Sequence, residues 1–264
     1  MSDAQDRPRA LTEVDGDVYR ITLDRPETGN AVTPALAEEL AGAFANRPTE
    51  TRAVLLLANG PRFSVGGDVQ LFGAAEDPGA VVGQLAHDWH EVIRLVLRTP
   101  VPVVAGVHGA VAGAALGLIG ACDVVVCARG TKLRPGYGGL GYSPDGGSSW
   151  VLARALGTSR ALELMLTNGV LTAADAHVFG LVGRLVEDDD LRDAATALAH
   201  ELAAGPVRAM ARTRALVRGA AVRSLEEQLD DEARLIAESA ADPEGREGVR
   251  AFVEKRTPDF RAAR

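Results

Sequence analysis

Two glycine-rich turns, each directly after an apolar run, constrain this chain more than any other feature in it. The first is Phe63-Ser64-Val65-Gly66-Gly67-Asp68, which follows Ala53-Val54-Leu55-Leu56-Leu57. The second is His108-Gly109-Ala110-Val111-Ala112-Gly113-Ala114-Ala115, which follows Val101-Pro102-Val103-Val104-Ala105. Short apolar runs bounded by turn signals predict buried strands, and the small residues after them let a ligand lie against bare backbone. Two convergent backbone N–H groups, one of them at a helix start, form a site for a developing oxyanion. The expected chemistry acts on a carbonyl whose oxygen takes up negative charge.

The 264 residues allow one large domain or two small ones, with a sizeable core in either case. A net charge of -8 argues against broad nucleic-acid binding. It leaves room for a phosphorylated ligand: among the 28 basic residues only Lys132 and Lys255 are lysine, and arginines can cluster locally. Cys122 and Cys127 lie in or beside one apolar strand and read as reduced core thiols of a cytoplasmic protein. The polar N-terminus has no signal-type apolar run, and the low-charge stretch from Thr99 to Cys122 is broken by Pro, Gly and His. Neither a secretion signal nor a membrane span is expected.

Residues 1–10 are polar and expected to be disordered. Val18 to Leu23 alternates and ends at Asp24-Arg25-Pro26, a strand followed by a turn. Thr33-Pro34 opens a helix that gathers Leu36, Leu40, Ala43 and Phe44 on one face. The segment 73–80, with its Gly, Asp-Pro and Gly, predicts a flexible linker before a helix over 81–98, whose Leu85, Trp89, Val92, Ile93 and Val96 face inward. Strands at 101–107 and 123–128 flank a small-residue helix over 113–121. After residue 146 the pattern is helical, with segments near 147–156, 158–167, 173–179, 190–204, 206–219, 224–241 and 244–255. Strands and helices first, then helices, predict an α/β core with a helical C-terminal region. The acidic run Glu226, Glu227, Asp230, Asp231 and Glu232 reads as a solvated face.

Five segments, in order, resemble the crotonase superfamily, the enoyl-CoA hydratase/isomerase family, over about residues 11–260. Leu23-Asp24-Arg25-Pro26 with Asn30-Ala31-Val32 resembles its N-R-P…N-A-L segment, and Phe63 to Asp68 its F-x-x-G-x-D loop. Gly109 to Asp123 resembles N-G-x-x-x-G-G-G…C-D, Leu140 to Gly147 resembles L-G-x-x-P-x-x-G-G, and Ala251 to Arg256 resembles the C-terminal F-x-x-K-R. The resemblance implies an α/β spiral of repeated ββα units over 11–200. It implies a helical C-terminal region over 201–264 for trimerisation and active-site cover. The substrate would be an acyl-CoA thioester, with coenzyme A as part of the substrate, no permanently bound cofactor and no metal. The assembly would be a homotrimer or a dimer of trimers, without nucleic-acid or membrane partners. The oxyanion hole falls on the N–H groups of Gly67 and Ala114. Coenzyme A contacts fall on Arg25, Ala31, Val65, Gly67, Asp68 and Val69. Phe252 and Lys255 fall near the nucleotide, in the pocket of a neighbouring subunit. Read without the family, Gly67 and Ala114 are tight-turn residues, Phe252 is helix packing and Lys255 a surface lysine.

The family's hydratases use two glutamates. Aligned without gaps, those positions fall on Gly117 and Tyr137. A phenol with a pKa of about 10 is a poor base at neutral pH. One carboxylate is left at a catalytic position of the family. Asp145 follows Tyr137 by eight positions, as the aspartate does in dienoyl-CoA isomerases, ring-epoxide phenylacetyl-CoA isomerases and chlorobenzoyl-CoA dehalogenase. Pro144-Asp145-Gly146-Gly147, with Arg246-Glu247-Gly248-Val249, Phe252, Lys255 and Arg256, looks closest to the phenylacetyl-CoA pathway isomerases. Two readings of Asp145 stand open and can coexist: a proton-shuttling base, and the N-cap of the helix near 147. Tyr137 would line the acyl pocket, donating a hydrogen bond or stacking on the acyl group. A shuttle needs one base where hydration uses two, so the inventory favours isomerisation. A rearranged hydratase, reaction through Asp145 as nucleophile, and a non-catalytic acyl-CoA-binding role are the alternatives. Asp88 or Glu91 could add a second acid. His87 and His90 lack a third metal ligand and read as a polar helix face. His108 reads as a turn hydrogen bond, and Ser148 and Ser149 lack an adjacent base.

Overall fold

The computed structural model describes residues 9–263. Its main sheet has six strands in the order β1-β2-β3-β4-β6-β9. These are β1 (Ala10–Asp15), β2 (Val18–Leu23), β3 (Ala53–Ala58), β4 (Val103–Val107), β6 (Val124–Ala128) and β9 (Arg184–Val186). The β1–β2 pair is an antiparallel hairpin, and every later pairing in the sheet is parallel. β3 is buried along its whole length, which is why it reads as an unbroken apolar run rather than an alternating one. Its side chains still alternate between two cores. Val54, Leu56 and Ala58 join the larger core, while Ala53, Leu55 and Leu57 join a smaller one. A second sheet is built from β5 (Ala110–Ala112), β7 (Lys132–Arg134) and β8 (Leu171–Thr172).

The larger core is covered by α1 (Pro34–Ala45), α2 (Val69–Ala74), α3 (Pro78–Arg98) and α4 (Ala115–Ala121), with α5 (Ser148–Leu156), α6 (Thr158–Leu166) and α7 (Ala173–Val178) beside it. Thr33 caps α1 by accepting the Leu36 N–H, with Pro34 in the first turn. The smaller core is closed by α8 (Leu191–Ala204) through Leu191, Ala195, Leu198 and Ala199. Three helices complete the chain: α9 (Val207–Gly219), α10 (Leu225–Ala241) and α11 (Pro243–Glu254). α10 opens with a capping box between Ser224 and Glu227. Asp123 docks α9 onto the sheet. One of its carboxylate oxygens accepts the Val103 N–H at 2.8 Å. The other accepts Arg214 Nε at 2.7 Å and Arg218 Nη2 at 2.8 Å.

The structure corrects several sequence expectations. The segment 73–80 is not a linker: Gly73 and Ala74 end α2, and Pro78 already lies in α3. Asp-Pro there is a helix start, with the Asp77 carboxylate accepting the Ala80 N–H. Of the residues 1–10 expected to be disordered, 1–8 lie outside the described residues. Ala10 already belongs to β1, and the Arg9 and Ala10 amides donate to Glu39. The predicted strand over 101–107 is β4, which starts at Val103; β5 beyond His108-Gly109 is an additional strand, and α4 starts at Ala115 rather than 113. The stretch from 147 to 200 is not wholly helical, because β8 and β9 interrupt it, whereas the helical region over 201–264 holds no strand among the described residues. The helices after residue 146 begin and end within about two residues of their predicted bounds, the usual fraying uncertainty.

Candidate active site

The two glycine-rich turns pair with each other. Ser64 and Val111 form a parallel bridge, with the Ser64 N–H donating to Ala110 O and the Ala112 N–H to Ser64 O. This draws Gly67 and Ala114 to one place. Gly66, at φ +83°, leaves no room for a side chain, since a Cβ there would stand 2.7 Å from Ala112 O. Ala114 is the N-cap residue of α4, so its N–H lies ahead of the helix's own hydrogen bonds. Among the described residues, neither the Gly67 nor the Ala114 N–H has an acceptor.

Both residues line a cavity of about 760 Å³. Its walls are largely apolar, with Val65, Val69, Phe72, Val82, Trp89, Leu140 and Tyr142 among them. Tyr137 and Asp145 complete the polar end, and Asp145 is the one carboxylate in the described lining. Trp89, buried in α3, donates its Nε1–H to Ala114 O at 3.1 Å and so fixes the start of α4.

Tyr137 and Asp145 are in direct contact. The phenol O–H donates to Asp145 Oδ1 at 2.7 Å. Burial, reinforced by the adjacent Asp145 charge, pushes the phenol well above its ordinary value. Tyr137 is therefore protonated at neutral pH, a hydrogen-bond donor to Asp145. Ser148 Oγ donates to Asp145 O at 2.7 Å and lies 3.2 Å from the Tyr137 oxygen. The Ser148 N–H reaches the same carbonyl at 3.1 Å. On the other side of the turn, the Gly146 N–H donates to His90 Nε2 at 3.1 Å.

The capping reading of Asp145 is overturned. The N-cap position of α5 is Gly147, at φ +78°, and no side chain caps it. The Asp145 carboxylate faces the cavity and Tyr137 instead. Gly117, where the resemblance puts the first glutamate, has no room for a side chain: a Cβ there would stand 1.6 Å from Gly146 O. The turn carrying Asp145 occupies the space that a side chain at 117 would need.

The other predicted site residues lie as follows. Gly67 and Val65 line the cavity from the first turn and Val69 from the start of α2, whose N-cap is Asp68. The Asp68 carboxylate accepts the Gln70 and Leu71 amides. Ala31 is buried beside the pocket floor residue Val32. Arg25 Nε donates to Glu27 at 2.5 Å, outside the cavity. Phe252 is 85% exposed on α11, and Lys255 caps that helix at φ +55°; neither lines the cavity of its own chain. Asp88 accepts Gln84 Nε2 and Glu91 pairs with Arg94, so neither brings a second acid to the cavity. His108 Nε2 lies 2.7 Å from Gly60 O, the turn hydrogen bond the sequence suggests. Two residues of the site escape sequence reasoning, His90 and Ser148 in its role beside Asp145. Their partners become visible only when the turn over 137–148 folds back on itself. Cys122 and Cys127 are free and buried, and burial raises both thiols, Cys127 to about 11. No helix of the described residues is long and apolar enough to cross a membrane.

Comparison with known proteins agrees with this geometry. The enoyl-CoA hydratase/isomerase family model matches residues 13–263. The 1,2-epoxyphenylacetyl-CoA isomerase of Escherichia coli K12 is 34% identical over 95% of this chain and 97% of its own. An enoyl-CoA hydratase structure from Polaromonas sp. JS666 superposes with a TM-score of 0.90 at 33% identity, covering 94% of this chain and 98% of that one. A Thermobifida fusca structure in complex with acetoacetyl-CoA superposes with a TM-score of 0.81 at 30% identity, covering 89% and 95%. With the paired turns, the apolar cavity and a match over nearly its whole length, this chain belongs to the enoyl-CoA hydratase/isomerase family and has its mixed α/β fold.

Proposed function

We propose that this chain isomerises an acyl-CoA thioester through an enolate, with Asp145 carrying a proton from one carbon to another. The observation behind this reading is the cavity's polar inventory. It holds two unpaired amides, Gly67 and Ala114, and one carboxylate, Asp145, tethered by Tyr137. The thioester oxygen accepts from the two amides, which stabilise the negative charge that develops there. With Oδ1 occupied by the Tyr137 O–H, Asp145 Oδ2 takes the carbon-bound proton and returns it at a second carbon. The C–H bond that breaks and the C–H bond that forms balance, the double bond moves, and no second reactant is required. The family's hydratases use a carboxylate at each of two positions; here Gly146 O stands over Gly117, and the other position is Tyr137, a phenol that burial and the adjacent Asp145 charge keep protonated at neutral pH.

Under the same reading, Arg25, Ala31, Val65, Asp68 and Val69 hold the coenzyme A arm at the cavity mouth. The helical region 201–264 mediates assembly into a homotrimer or dimer of trimers. Its apolar side chains Val217, Leu225, Leu229, Ile236, Val249 and Val253 all face outward, a surface that calls for a partner. In that assembly the exposed Phe252 and Lys255 reach a neighbouring subunit's nucleotide. Two buried, unreactive thiols suit a reducing, cytoplasmic setting.

The test is product analysis by mass spectrometry with crotonyl-, shifted-enoyl-, dienoyl- and phenylacetyl-type CoA thioesters. Bond migration at constant mass, lost in Asp145→Asn while thioester binding survives, is the expected outcome. Products heavier by one water, or near-normal turnover in Asp145→Asn, would replace this reading with a hydratase-type site.

A further inference from the structure

We propose that His90 is a positioning residue that sets the aim of the Asp145 carboxylate by holding the peptide plane between Asp145 and Gly146. This rests on the reading of Asp145 as the base. An amide N–H can only donate, so His90 Nε2, 3.1 Å from the Gly146 nitrogen, carries the lone pair and Nδ1 the proton. In a trans peptide the N–H and C=O point in opposite directions. Here both ends of one plane are held. The Asp145 carbonyl accepts from the Ser148 N–H at 3.1 Å and Ser148 Oγ at 2.7 Å, and the Gly146 N–H on the far side is held by His90. Rotation of that plane would change the backbone angle at Asp145 and swing its carboxylate within the cavity.

Gly146 is buried, so without His90 its N–H is left without a partner until the plane moves to find an acceptor. The same helix also fixes the oxyanion side: Trp89, the preceding residue of α3, holds Ala114 O. Two adjacent residues of one rigid helix thus set the distance between the amide that stabilises charge and the carboxylate that moves the proton. Nothing else in the proposed chemistry uses His90, which does not line the cavity.

The experiment compares wild type, His90→Leu, His90→Gln and Asp145→Asn in the full-length protein. The probe is phenylacetyl-CoA in deuterated water, with exchange at the carbon next to the thioester read by mass spectrometry. Hydrogen exchange of the Gly146 amide and the ¹⁵N shifts of the His90 ring are followed by NMR without substrate. His90→Leu should slow carbon exchange about 10²-fold at unchanged thioester Kd, the usual effect of a misplaced catalytic group. It should also expose the Gly146 amide. His90→Gln places an oxygen where Nε2 stood and should recover exchange to within about 5-fold, with the amide protected again. The ring shifts should show the Nδ1–H tautomer. Normal carbon exchange in His90→Leu, a Gln variant as impaired as Leu, or an unprotected Gly146 amide in wild type would overturn the role of His90. Undiminished exchange in Asp145→Asn would instead remove the base itself, a different failure that the same series separates.

Discussion

Gly117→Ala is the smallest change that probes how the site is built. Two effects oppose each other. Alanine in a helix interior is favoured over glycine by about 1 kcal/mol. Against this, the new Cβ would stand 1.6 Å from Gly146 O and 2.7 Å from its carbon, both backbone atoms that cannot rotate away. The turn must retreat by more than about 1 Å to restore contact distances in a close-packed interior. Overpacking of this kind costs about 1–3 kcal/mol, and a clash with backbone belongs at the upper end. The net expectation is a loss of about 2 kcal/mol, or roughly 4–8 °C in Tm for a chain of this size. The displaced residue is Asp145's neighbour, so turnover should fall by about 10²-fold as well. Thermal unfolding followed by circular dichroism, with turnover on the best thioester of the panel, reads both. An alanine variant at least as stable as wild type with undiminished turnover would refute the packing of the Asp145 turn over α4. It would also reopen the first glutamate position, which this geometry closes to any side chain.

Three further outcomes follow from particular contacts. Tyr137→Phe removes a hydrogen bond from a neutral phenol to the Asp145 carboxylate, worth about 1.5–3 kcal/mol, and should lower kcat roughly 10–100-fold with little change in thioester affinity; unchanged kcat would show that the tether is idle. Asp123→Ala strips the carboxylate from Arg214 and Arg218 and should destabilise the fold by about 3 kcal/mol in urea titration, with α9 exchanging its amides first; a loss under about 0.5 kcal/mol would contradict its docking role. Hydrogen bonds from Arg256, then the Asp259 N–H and Arg250, hold the Glu247 carboxyl well below its ordinary 4.5. A carboxyl lowered in the folded state stabilises above its unfolded pKa and loses that contribution as pH falls. The stability gap between wild type and Glu247→Gln should thus be constant near neutrality and shrink below about pH 4; a gap that widens on acidification would refute the pairing.

Much of the site was legible because backbone chemistry leaves marks in sequence. An oxyanion hole needs small residues at fixed turns, and Phe63–Asp68 and Gly109–Ala115 carry them in order. The helices after residue 146 were legible from Gly, Thr and Pro punctuation, which the structure places at helix starts in the Thr172 cap of α7 and in Pro243 in the first turn of α11. Period cannot speak for strands of two or three residues, so β5, β7, β8 and β9 passed unread. The Asp-Pro at 77–78 was mistaken for a linker because a helix start and a loop share that signature. Spacing placed Tyr137 and Asp145 in the chain but not in contact; their hydrogen bond depends on how residues 138–144 fold back. His90 was hidden most completely. On a helical wheel it lies on a polar face, and its partner is a backbone amide 56 residues away, which has no side-chain signature at all.

In the proposed mechanism Asp145 moves a proton to and from carbon on a thioester held by Gly67 and Ala114. The most direct test incubates wild type and Asp145→Asn in deuterated water with a shifted-enoyl-CoA and locates the label in the product. Deuterium on carbon with the double bond moved and no water added, in wild type and not in Asp145→Asn, is the predicted result. Equal labelling by Asp145→Asn, or a hydrated product without bond migration, would contradict it.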